Sequence, residues 1–323
     1  MKMIRIIFLL FAGILVHGKL SEEENQQRED TCGVKKDQYI WAFTNDKGEG
    51  LTAAVPISQK HFLTYARPVL SLDSKWIHDQ SNFTWQCTDE NTVVEMPPDM
   101  LSHIKLAPLG SLKDPNYESP KPVRAYFIAI CNKNINGTLE WHYAPMIVEV
   151  EDSLKVDYPC ITDDYIHSGD TLYTYRLHDS ATVTEHTVKM EKAYNDAFST
   201  TMFEKDKLTD VGGPVLQPFG DTWTLVGMKG GYSYDGGNSN RRYFHAIEPF
   251  LKQLCELAGI CGTDVSPAVV ERSNANLVKK ESKNSGKSAK SGESKKEEEE
   301  AGNGAKMIGI EMILVIVFVY LWK

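Results

Sequence analysis

Between residues 39 and 228 the hydrophobic residues come in short runs, each stopped by turn-forming residues before a long helix could form. Residues 41–43 stop at Asn45-Asp46-Lys47-Gly48, and residues 51–57 stop at Ser58-Gln59-Lys60. Further runs follow at 62–69, 91–96, 123–131, 146–150, 171–177, 181–190 and 222–228, enriched in Val, Ile, Thr and aromatics. Runs of this length and make-up read as strands, and such a series argues for an antiparallel sandwich or barrel. Residues 249–257 have a helical look, with Phe250, Leu251, Leu254 and Leu257 recurring at helical spacing.

The two ends belong to a different kind of sequence. Lys2 and Arg5 precede the apolar run 6–16, and Val16-His17-Gly18 supplies small or short residues for a signal peptidase. The run is too short to span a bilayer comfortably, so residues 1–18 are expected to be a secretion signal. Residues 307–322 are apolar except for Glu311. A helix of that length reaches ~24 Å against a hydrocarbon core of ~30 Å. An alternative takes Asn303-Gly304-Ala305 as a lipid-attachment site, 306–311 as a short spacer and 312–322 as the tail removed. By either route the folded part is expected to be held outside the cell at a membrane.

Composition shifts after Cys261. Residues 264–306 are rich in Lys, Glu, Ser and Gly and nearly free of large apolar groups, so they cannot bury enough surface to offset ordering entropy. A disordered stalk over 263–306 is the expectation. The lead 19–37 is also polar, and its acidic part 21–29 reads as solvated and flexible. Residues 38–262 remain as the folded domain. The whole chain has a net charge of −9, and residues 19–263 alone hold 23 Lys and Arg against 35 Asp and Glu, a net −12. That balance disfavours nucleic acid as a partner.

Six cysteines, Cys32, Cys87, Cys131, Cys160, Cys255 and Cys261, read as three disulfides in a secreted chain, with fifteen pairings open. No CxxC or His-rich cluster points to a metal, and no motif points to a cofactor. The sequons at Asn82 and Asn136 are candidate glycosylation sites on surface loops.

Residues 208–227, Leu-Thr-Asp-Val-Gly-Gly-Pro-Val-Leu-Gln-Pro-Phe-Gly-Asp-Thr-Trp-Thr-Leu-Val-Gly, resemble the region around the nucleophile of chymotrypsin/trypsin-like serine proteases. That region reads Gly-Asp-Ser-Gly-Gly-Pro and is followed by a Leu-Val-Gly strand. Residues 53–68 are similar to the family's Gly-Gly-Ser-Leu-Ile-Ser-Pro-Arg-His-Val-Leu-Thr-Ala-Ala-His-Cys, matching at Ile57-Ser58, His61 and Leu63-Thr64. Residues 143–150 are similar to its Asn-Asp-Ile-Ala-Leu-Leu-Lys-Leu, and residues 243–251 to its last strand and C-terminal helix. The resemblance covers most of residues 38–262 and implies an all-β fold of two six-stranded antiparallel β-barrels with a short C-terminal helix. The lead Leu20-Ser21-Glu22-Glu23-Glu24-Asn25 with Cys32-Gly33 resembles a nematode-expanded branch of the family.

The resemblance sets Arg67 at the catalytic histidine, Ala144 at the aspartate and Val211 at the serine. A guanidinium is protonated at any physiological pH, a methyl orients nothing, and an isopropyl has no proton to lose. Thr209 takes the oxyanion-hole glycine position, followed by Asp210, Gly212 and Gly213 around Val211. Lys205 falls at the specificity position, and Gly230, Gly231 and Tyr232 on the substrate-binding strand. Asp210 keeps the aspartate that pairs with a freed N-terminus in active members, yet residues 35–41 contain no Ile-Val-Gly-Gly. Asp210 is therefore expected to be exposed or bonded by another group. His61 falls on a turn position and reads as a surface or turn histidine. The family's disulfides are mostly absent, and the cysteines that remain suggest a private scheme: Cys32 with Cys160 across the barrels as in chymotrypsin, Cys87 with Cys131 within the first half, and Cys255 with Cys261 at the helix end.

The function implied is a membrane-tethered, catalytically dead domain that binds a protein outside the cell. A residual hydrolase would need another nucleophile, Thr209 or, within loop reach, Ser199 or Thr200, and no histidine is placed as its base. A structural surface protein is the third reading. If the tail is exchanged for a glycolipid, phosphatidylinositol-specific phospholipase C will release the protein from intact cells. Retention after treatment is the outcome expected of a spanning helix.

Overall fold

A computed structural model describes residues 18–34, 39–48, 51–71, 73–89, 91–111, 114, 116–131, 144–162, 166–177, 183–194, 197–201, 211–230 and 241–261. The expectations for the signal run, the stalk, the hydrophobic tail, Asn136, Lys205, Thr209, Asp210, Gly231 and Tyr232 fall outside these residues. No helix among the described residues is long and apolar enough to cross a membrane.

The first half contributes β1 (Trp41–Asn45), β2 (Thr52–Pro56), β3 (His61–Tyr65), β4 (Val94–Glu95), β5 (Ile104–Pro108), β6 (Pro122–Phe127) and β7 (Pro145–Val150). They form one sheet in the order β4-β6-β7-β3-β2-β1-β5. The second half contributes β8 (Cys160–Ile161), β9 (Thr171–Leu177), β10 (Val183–Ala193), β11 (Ala197–Thr201), β12 (Pro214–Phe219), β13 (Thr222–Lys229) and β14 (Arg241–Ala246). Their order is β12-β9-β10-β11-β14-β13-β8, and β12 also pairs with β13, closing six strands into a barrel. The two-residue β8 adds a parallel rung beside β13.

The first sheet is not closed by a strand ladder among the described residues. The outer edge of β5 is met instead by Ser119, whose Oγ accepts from the Leu106 N–H at 2.9 Å and donates to the Leu106 carbonyl at 3.0 Å. One hydroxyl thus satisfies both backbone groups of an edge residue that would otherwise invite a further strand.

Strand alternation explains how two curled sheets make one body. Along β2 and β3, Ala54 and Phe62 point into the first half's own core with Trp41, Phe43, Phe127, Met146 and Val148. Their neighbours Ala53, Val55, Leu63 and Tyr65 join a second cluster with Leu216, Leu225, Met228, Ile247, Phe250 and Leu254 from the second half. Leu172, Val188, Phe198, Val215 and Phe244 fill the closed barrel. Since successive side chains face opposite sides, β1, β2, β3 and β7 are buried at every position.

The second half also holds strands that the run pattern passes over. β11 reads Ala-Phe-Ser-Thr-Thr, and its Ser199 and Thr200 are fully buried with little apolar character to announce it. That burial also removes both hydroxyls from the reach of any substrate. The C-terminal helical segment expected at 249–257 is present as a 3-10 turn Glu248–Phe250, an α turn Leu251–Gln253 and a π turn Leu254–Ala258. It ends on Gly259 in the left-handed region at φ 71°.

The lead departs from the flexible reading. Glu22–Thr31 is an α-helix, started by a capping box in which Ser21 Oγ accepts from the Glu24 N–H at 3.1 Å and Glu24 Oε2 accepts from the Ser21 N–H at 2.8 Å. Its buried polar groups are satisfied by protein. Arg28 is 2% exposed and donates to Asn25 Oδ1, while Asn25 Nδ2 donates to the Cys261 carbonyl at 3.0 Å. The Leu20 N–H donates to the Ala258 carbonyl at 2.9 Å, and Lys60 meets Glu24 at 2.7 Å. Cys32 is bonded to Cys160; the other two disulfides join Cys87 with Cys131 and Cys255 with Cys261.

His61 is likewise not at the surface. It opens β3 at 1% exposure, and its Nε2 lies 2.7 Å from the Gly18 carbonyl. A carbonyl only accepts, so Nε2 carries the proton, and Nδ1 accepts from Ser58 Oγ at 2.9 Å. Burial lowers the His61 pKa from 6.5 to about 4; the Gly18 carbonyl and Glu24 oppose this and Lys60 adds to it. The unfolded chain therefore binds a proton that the folded chain refuses. Stability is full above pH 6.5 and falls as pH drops from 6.5 towards about 4. Denaturation of the full chain at pH 7 and pH 5 is expected to show a loss of about 2 kcal/mol from this residue, absent from His61→Gln.

Candidate functional site

Of the residues that the resemblance sets at the triad, two lie side by side just past the C-terminal end of β3. Tyr65 pairs with Pro145 across β3 and β7, and one residue further on the Ala66 N–H donates to the Ala144 carbonyl at 2.9 Å. That bond sets Arg67, which follows Ala66, beside Ala144. Arg67 is partly exposed, and Ala144 is fully buried.

Val211 arrives from the second half. Its carbonyl accepts from the Ala53 N–H of β2 at 2.9 Å, and its side chain, 3% exposed, packs in the cluster shared by both halves. Gly212 has φ 87°, and a Cβ there would stand 2.3 Å from the Ala53 carbonyl oxygen. Only glycine fits that backbone approach. Gly212 N–H donates to the Lys229 carbonyl at 2.9 Å and Lys229 N–H to the Gly213 carbonyl at 2.8 Å, fixing the loop to β13. Gly230, next on that strand, is partly exposed.

Behind this loop lies a contact that sequence reading missed. Tyr65 of β3 and His245 of β14 share a hydrogen bond across the two halves, with ring centroids 5.5 Å apart. Nothing in local spacing announces it, since the partners are 180 residues apart. The pair resembles a nucleophile and base only on paper. Tyr65 is fully buried, and burial raises its pKa well above the ordinary phenol value, so the hydroxyl keeps its proton and meets no substrate. The buried Ser58–His61 pair is equally closed, because Ser58 Oγ already accepts from the Lys60 and His61 N–H groups, both at 3.0 Å.

Of the remaining sites, Asn82 is exposed at an isolated bridge with Lys75.

The sequence model described as "Nematode trypsin-6-like family" matches residues 2–261. No curated protein matches the chain. Solved structures similar to it include the crystal structure of a scabies mite inactivated protease paralogue. That structure is 14% identical, covers 70% of this chain and 96% of its own, and gives a TM-score of 0.48.

Gly212→Ala is expected to lower stability by about 3 kcal/mol, from left-handed backbone strain plus the clash with Ala53. Gly48→Ala, at φ 78° with nothing within 4 Å of the added methyl, should lose only about 1 kcal/mol. Thermal melting of the two variants separates strain from close approach.

Proposed function

Since the chain belongs to the nematode trypsin-6-like family, we propose that it is a catalytically inactive trypsin-like protease homologue that acts outside the cell as a binding or decoy module for a protein partner. The observation that carries this reading is that the residues set at the triad by the resemblance, with Arg67 next to Ala144 and Val211 bonded through its backbone to Ala53, hold no proton-transfer chemistry. A serine hydrolase needs a hydroxyl, a base with a pKa near working pH and an orienting carboxylate. The guanidinium of Arg67 cannot accept a proton, and the side chain of Val211 serves as packing between the halves.

Three disulfides support a life in the secretory pathway or outside the cell. The net negative charge of the folded region supports a protein partner over nucleic acid. In this reading the domain is held at the outer face of the membrane, by residues 307–323 as a spanning helix or by the lipid that replaces the tail, and residues 263–306 extend it.

The full chain treated with a fluorophosphonate probe is expected to remain unlabelled, and Val211→Ser alone to remain so, because no base stands at Arg67. Stoichiometric labelling of the native chain that disappears in Thr209→Ala would make it a hydrolase instead.

A further inference from the structure

Asp46, His78 and His103 are 57 residues or less apart in sequence, sit on three different segments, and meet on the first half away from the Val211 corner. One ligand atom from each lies within 4.8 Å of the other two. His103 Nδ1 is 2.9 Å from Asp46 Oδ2, and the His78 and His103 rings stack with centroids 3.2 Å apart at 18°.

Each residue is held by its backbone. Asp46 N–H donates to the His103 carbonyl at 2.9 Å, continuing the β1–β5 ladder past the Asn45–Ile104 pair. His103 N–H in turn donates to the Met100 carbonyl at 3.1 Å. His78 follows Ile77, whose N–H donates to the Val69 carbonyl, and Trp76, which is 5% exposed and packs edge-on against Phe83. The segment bearing His78 is therefore anchored by a buried aromatic.

We propose that these three side chains form a binding site for a divalent transition-metal ion of the zinc class, with one coordination position left open. Two imidazoles and one carboxylate are the donor set such ions prefer, whereas calcium and magnesium call for oxygen ligands alone. The ion replaces the proton between His103 Nδ1 and Asp46 Oδ2. With metal–ligand bonds of ~2.0–2.1 Å, donors in a tetrahedral site stand ~3.3 Å apart, so the 2.9 Å pair opens slightly. His78 is exposed, and a turn of its ring brings its donor in without disturbing the core. Lys105 does not compete for the carboxylate, since its Nζ bonds the Asp46 backbone carbonyl at 3.3 Å. The three ligands are remote from one another in sequence, which is why no His-rich motif foretold them.

The test is calorimetric titration of the untagged full chain, stripped with chelator and held in detergent, with zinc chloride and then with calcium and magnesium chloride. One zinc per chain is expected, and no heat from the two hard cations. His78→Ala and His103→Ala should each weaken zinc at least about tenfold, as loss of a ligand costs no less than loss of an outer-shell partner. Cobalt(II) should give the intense visible bands of a tetrahedral site, lost in both variants, while their metal-free melting temperatures match the native chain. Absence of one-to-one zinc binding, or a zinc affinity in either histidine variant unchanged from that of the native chain, would reduce the cluster to an ordinary surface ion pair and overturn the proposal.

Discussion

The structure turns on a backbone contact between its two halves. Val211 accepts a hydrogen bond from Ala53, and Gly212 lies so close to the Ala53 carbonyl that no side chain could intervene. The same carbonyl accepts from Thr64 Oγ1 at 2.8 Å, so the rivet is tied into β3 as well as β2. Around it the shared apolar cluster draws Leu63 and Tyr65 against Leu216 and Met228. Main-chain geometry of this kind is indifferent to whether the residue at 211 carries a hydroxyl or an isopropyl. The scaffold therefore does not depend on which side chain stands at 211.

What the sequence disclosed and what it hid follow from how each feature is encoded. β1, β2, β3 and β7 announce themselves because both of their faces are apolar, whereas β5, interrupted by the exposed Lys105, lies outside the run series. The Gly-Gly-Pro of the loop is legible because a close backbone approach tolerates nothing else. The lead misled because polar composition normally means water, and here Asn25, Arg28 and Thr31 find partners within the protein instead. Ser21 and Glu24 carried a usable signal, the reciprocal capping box, which the charge run obscured. β11 stayed silent since Ser199 and Thr200 are buried without being hydrophobic. The Asp46–His78–His103 cluster and the Tyr65–His245 bond could not be read at all, as long-range partners leave no local spacing.

The two buried hydroxyl–imidazole pairs show how weak a guide side-chain inventory is. Tyr65 with His245 and Ser58 with His61 have the right atoms at hydrogen-bonding distance, yet each is sealed from solvent. In the second pair the histidine is held neutral by burial and spends Nε2 on the Gly18 carbonyl and Nδ1 on the Ser58 hydroxyl. Chemistry requires access as well as proximity.

The lead helix lies against the C-terminal segment, with Leu20 bonded to Ala258 and Asn25 to Cys261. Both ends of the folded region therefore leave from one corner. Tension applied at Cys261 is met first by the Cys255–Cys261 loop and then, through the Asn25–Cys261 hydrogen bond and the Cys32–Cys160 crosslink, by β8 of the second half. A pull at that corner thus reaches β8 through one hydrogen bond and one disulfide before it loads a barrel ladder.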